Sequence, residues 1–142
     1  MKIARTRIPI CLLLTAATLF AQTESQRLMK VNVPFSFGLG DQSFPAGEYA
    51  IFTVTPQRSI RIVSVDGKYM AVINTLPNYA DAPSANNRLV FHKYGDQYFL
   101  AQVWTAGQDV GRNPLPGRKA MHLASSGEQF QTFTILALAD HR

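Results

Sequence analysis

Three histidines, His92, His122 and His141, and nine acidic residues are the side chains best suited to acid–base or metal chemistry in this chain. No two histidines stand at ligand spacing, and the one cysteine, Cys11, lies near the N-terminus, so no His/Cys zinc set can be assembled. His92 falls inside a predicted strand, where a packing role suits it better than ligation, and His141 sits beside the C-terminus. Asp66 and Asp96 are explained by turn chemistry. A nucleophilic serine needs a strained strand-to-helix turn such as G-x-S-x-G, and Ser125-Ser126-Gly127 lacks that context. There is no phosphate-binding glycine loop of either common type. No catalytic, cofactor or metal site is therefore expected. A carboxylate pair assembled only by the fold is the one route left to a hydrolase.

Charge and compartment narrow the classes further. Lys2, Arg5 and Arg7 precede an uncharged apolar run, Ile8 to Phe20, and Ala21 offers a small residue for cleavage. That layout predicts a signal peptide over residues 1–21, with a single domain over 22–142 exported to the periplasm or beyond the cell. The apolar run is short for a bilayer span of roughly 20 residues, so no membrane span is expected in the mature chain. Cys11 leaves with the signal peptide, and no disulfide is then available to the mature domain. The net charge of +5 falls to +2 once Lys2, Arg5 and Arg7 are removed. Arg112, Arg118 and Lys119 form only a modest basic cluster, so a nucleic-acid partner is not expected.

What must position any site is a set of strands. From Leu28 the apolar period is two: Val31, Val33, Phe35 and Phe37 alternate with polar residues or Pro34, and the proline predicts an edge or a bulge. Glu48 to Val54 is the next strand. Asp66-Gly67 predicts a two-residue type I′ hairpin, setting Ile62 against Ala71 and Ile60 against Ile73. Gly95-Asp96 predicts a second hairpin, with His92 opposite Phe99. Its register places Leu89, Phe91, Leu100 and Trp104 on one face and Val90, Tyr94, Ala101 and Val103 on the other. The last strand is Thr132 to Ala139, and Lys119 to Ser125 suits a helix or a strand. About seven short strands with frequent turns predict an all-β fold, an antiparallel β-sandwich or a small β-barrel.

Two loops are long, Thr75 to Asn87 and Ala106 to Arg118. With antiparallel succession they share one end with the 55–59 turn, and loop-rich ends of rigid scaffolds carry binding residues. Tyr79, Asp81, Asn86, Asn87, Asp109 and Arg112, with Trp104 near the base, make that end the candidate binding surface. Solvated linkers without a partner are the competing reading. Phe35, Phe37, Phe52, Phe91, Phe99 and Phe133 are expected to fill the core.

Two blocks, Val31 to Tyr49 (VNVPFSFGLGDQSFPAGEY) and Asn87 to Trp104 (NRLVFHKYGDQYFLAQVW), resemble a group of small exported bacterial β-rich proteins of unassigned function. The resemblance implies export and a β fold and supplies no activity or site residues. The leading expectation is a secreted, non-enzymatic interaction or binding module of unknown partner. The alternatives are a carrier for a small apolar ligand inside a barrel and a hydrolase with an unrecognised carboxylate site.

Overall fold

A computed structural model describes residues 26–56 and 58–137. The predicted signal peptide, His141 and the end of the last predicted strand lie outside the described residues. In chain order the elements are β1 (Arg27–Val33), β2 (Phe37–Leu39), β3 (Gln42–Phe44), β4 (Gly47–Thr55), β5 (Ser59–Ser64), β6 (Met70–Tyr79), β7 (Arg88–Tyr94), β8 (Gln97–Trp104), β9 (Val110–Pro114), α1 (Arg118–Ser125) and β10 (Gln131–Leu136). The fold is all-β with one short helix.

Pro34 divides what the alternation presents as one strand. It has no N–H for a ladder, so pairing stops after Val33 and resumes at Phe37. The halves then part: β1 pairs with β4, whereas β2 pairs with β3 and, in parallel, with β8. The sheet runs β1-β4-β5-β6-β9-β8-β2-β3, with β7 on β8 and β10 on β7. That is ten strands among the described residues rather than about seven. The additional ones are β2, split from the first predicted strand, the short β3, and β9, from a segment expected as loop.

Both hairpins keep their predicted pairing near the turn. Ile62 faces Ala71, Ile60 faces Ile73, and His92 faces Phe99. The first turn begins one residue earlier than a type I′ turn would: Gly67 N–H donates to Ser64 O at 2.8 Å. Asp66 holds it from the side, accepting from Ser64 Oγ at 2.6 Å and from Lys68 N at 3.0 Å. In the second hairpin the ladder slips between Val90 and Phe91, so that Phe91 faces Leu100 but Val90 faces Gln102. One extra residue reverses the parity of everything beyond it. Val103 consequently joins Leu89 in the core, and Trp104 lies outside that cluster, which corrects the predicted faces.

The core gathers Met29, Val31 and Val33 of β1, Phe37 and Phe44, Tyr49 and Ile51 of β4, Ile60 and Ile62 of β5, and Leu89, Phe91, Leu100 and Val103. Its centre is aromatic: Phe37 meets Phe91 edge-on at 5.4 Å and stacks on Phe44 at 5.4 Å. Burying each such ring is worth about 1.5–3 kcal/mol. Phe44 of β3 is a core residue, whereas Phe133 is 39% exposed and Phe52 lies half-buried beneath the Arg61 guanidinium.

Candidate functional site

The 118–125 segment resolves as a helix, and it is an odd one. Eight residues are too few to hold a helix in water without packing, yet none of α1 is buried. Its apolar residues Ala120, Met121 and Ala124 instead line an open cleft of about 700 Å³ between the helix and the sheet. The floor is Phe99 to Ala101 of β8, Leu76 of β6 and Asn113-Pro114 of β9. His92, Tyr94 and Phe130 form an aromatic wall. The rim stays open, with Met121 58% exposed and Phe130 46%.

Two attachments hold the helical strap over the cleft. At its start Gly117 packs against the 40–41 turn so closely that a Cβ would stand 1.9 Å from Gly40 O. Arg118 N–H, one of the four amides at a helix start with no partner inside the helix, donates to Asp41 Oδ1 at 2.8 Å. The carboxylate at a helix N-terminus also suits the helix dipole. At the far end Phe130 stacks on His92, with ring centroids 3.9 Å apart and planes 18° from parallel, and tilts against Tyr94 at 5.6 Å. Between these attachments the cleft has no packed occupant from the helix.

Electrostatically the cleft is quiet. Among the described residues no Asp, Glu, Lys or Arg lines it. Its polar groups are the His92 ring, the Tyr94 hydroxyl, Asn113 and Ser125, and Ser125 Oγ already donates to His122 O at 3.0 Å. Burial holds the His92 imidazole below its ordinary pKa of 6.5, which keeps the ring neutral near pH 7. Among the described residues no group of three His, Cys, Asp or Glu side chains could hold a metal ion. No helix among them is long and apolar enough to cross a membrane.

The residues expected at the loop end divide into two sets. Tyr79 is the last residue of β6 and 73% exposed, and Asp81, Asn86 and Asp109 are also exposed. Asn87, Trp104 and Arg112 are buried. Asn87 Oδ1 accepts from Ala106 N at 2.7 Å. Trp104 covers Gly111, where a Cβ would meet its ring at 2.8 Å, and lies under the Arg88 guanidinium at 5.2 Å. Backbone bonds knit the two loops together: Ala80 N to Asp109 O, Ser84 N to Gln108 O and Gly107 N to Ser84 O, each 2.8 Å. Much of the expected loop is strand, since β6 and β9 pair from Thr75–Pro114 to Tyr79–Val110.

The cleft is not legible in any one stretch of the sequence. Its lining comes from β2, β6, β7, β8, β9, α1 and the segment before β10, and no local pattern joins them. One usable signal was the pairing of small residues with Met121 along 118–125. No protein-family model, curated protein or solved structure matches the chain.

Proposed function

We propose that this protein is a non-enzymatic binding module, exported from the cytoplasm, that holds a small uncharged apolar molecule in the cleft beneath α1. The carrying observation is a cleft of about 700 Å³ with no charged side chain among the described residues that line it. That volume lies in the range of about 300–1,000 Å³ typical of small-molecule sites. An apolar occupant would cover Ala120, Met121 and Ala124, giving the helix the packing it lacks. The aromatic wall of His92, Tyr94 and Phe130 suits a ligand with a flat apolar face.

Export is supported by the basic start and the apolar run from Ile8 to Phe20. We take the sheet as a small barrel left incomplete between β10 and β1. Its support is that β10 comes beside β1 while no ladder between the two is found among the described residues. The ligand then sits against the outer side of the sheet under a helical strap, not inside the barrel.

Thermal melting against a panel of uncharged apolar compounds tests the proposal. A ligand at a hundred times its Kd adds about 2.7 kcal/mol, or roughly ten degrees in a domain of this size. A panel of apolar compounds without any such shift would remove the support for this reading.

A further inference from the structure

We infer that Met121 is a modification site: a two-electron oxidant of the peroxide class converts its thioether to a sulfoxide, and the cleft beneath α1 then releases its apolar ligand. This rests on the reading of that cleft as an apolar binding site. Met29, Met70 and Met121 are the methionines among the described residues, and their settings differ. Met29 is buried in the core with no exposed surface. Met70 is 59% exposed on β6 but does not line the cleft. Met121 is 58% exposed and does line it. Of the helix residues in the lining, Ala120, Met121, Ala124 and Ser125, the methionine alone is long and apolar. No cysteine lies within the described residues to take the oxidant first.

Hydrogen peroxide is the one co-reactant the step needs. A lone pair on the Met121 sulfur attacks a peroxide oxygen, an S–O bond forms and the O–O bond breaks. Sulfur gives up two electrons, and the displaced hydroxide takes the proton from the transferred oxygen and leaves as water. A flexible apolar side chain thereby becomes a polar one with a strong acceptor oxygen. In the empty cleft water solvates that oxygen. An uncharged apolar ligand strips the water away and supplies no donor, which weakens binding on the order of tenfold. Ser125, the polar helix residue in the lining, already donates its hydroxyl to His122 O at 3.0 Å. A bound ligand conversely covers the Met121 thioether and slows its oxidation, while Met70 gains no such cover.

Titration with the uncharged apolar probe N-phenyl-1-naphthylamine, before hydrogen peroxide and after its removal, tests the switch, with sulfoxide located by peptide mass spectrometry. The wild type is expected to lose about tenfold in affinity in step with sulfoxide at Met121, and methionine sulfoxide reductases should restore it. Met70→Leu, which leaves Met121 open to the oxidant, should lose as much. Met121→Leu should keep after peroxide whatever affinity it had before. Saturating probe should slow oxidation at Met121 and not at Met70. The switch is overturned by undiminished affinity once Met121 is oxidised, by an equal loss in Met121→Leu, or by a bound probe that fails to protect Met121. Untreated wild type that binds no probe would remove the reading of the cleft itself, and the switch with it, whereas binding that persists after oxidation overturns the switch alone.

Discussion

Gly117 and Gly40 meet backbone to backbone: a Cβ on Gly117 would stand 1.9 Å from the Gly40 carbonyl oxygen and 2.8 Å from Asp41 Oδ1. The obstacle is main chain rather than a flexible side chain, so relief requires the strap to lift. Gly117→Ala is expected to cost about 1–3 kcal/mol, as overpacked sites do, and to abolish binding beneath α1. A urea titration read beside a ligand titration checks both parts.

Asp41 caps a helix that has no capping side chain of its own. Asp41→Ala removes the acceptor for Arg118 N–H and should cost about 0.5–2 kcal/mol, the usual range for a lost cap. The exposed Arg118–Asp41 ion pair, 3.9 Å apart, adds little to that. Asp41→Asn keeps an acceptor oxygen and should recover most of the loss. Urea midpoints of the three proteins measure the difference.

His92 makes stability depend on pH. Its folded-state pKa lies below the ordinary 6.5 because it is partly buried under Phe130. The unfolded chain therefore binds this proton more readily than the folded one. Stability is full above pH 6.5 and declines as the pH falls from there through the folded-state value. His92→Phe keeps a flat ring against Phe130 and should remove this part of the decline. Melting temperatures from about pH 8 to about pH 5 would show it.

Phe91 has no exposed surface and touches Phe35 edge-on at 5.0 Å and Phe37 at 5.4 Å. Phe91→Ala should cost about 3–5 kcal/mol, since the surrounding rings cannot collapse fully into the space. Phe133→Ala, at a ring 39% exposed, should cost less than half as much. Denaturant unfolding of both variants tests where the core lies.

The hairpins were legible because Asp66-Gly67 and Gly95-Asp96 mark turns and fix pairing on either side. What lay beyond the slip at Val90/Phe91 was not: Leu100-Ala101-Gln102 carries no glycine or proline to announce an extra residue, and Val103 and Trp104 exchange places unseen. Strand β9 was hidden for a different reason. Val110-Gly111-Arg112-Asn113-Pro114 has neither alternation nor β-branched weight, and its place depends on Trp104 covering Gly111 and on pairing with a β6 that contains Pro77. Asn87, Trp104 and Arg112 were picked out by loop position, but their burial is set by neighbours distant in sequence. The cleft beneath α1 is wholly long-range, because Gly40, Asp41 and His92 decide where residues 117–130 lie.

The most direct measurement is a fluorescence titration with N-phenyl-1-naphthylamine, an uncharged apolar probe that brightens on leaving water, against the wild type and Ala124→Trp. Ala124 lines the cleft from the helix and is exposed, so the larger ring fills ligand space without entering the core. Saturable binding with one probe per chain is expected in the wild type and its loss in Ala124→Trp, with the melting temperature of that variant kept. Absence of saturable emission, or undiminished binding by a folded Ala124→Trp, would contradict a ligand site beneath α1.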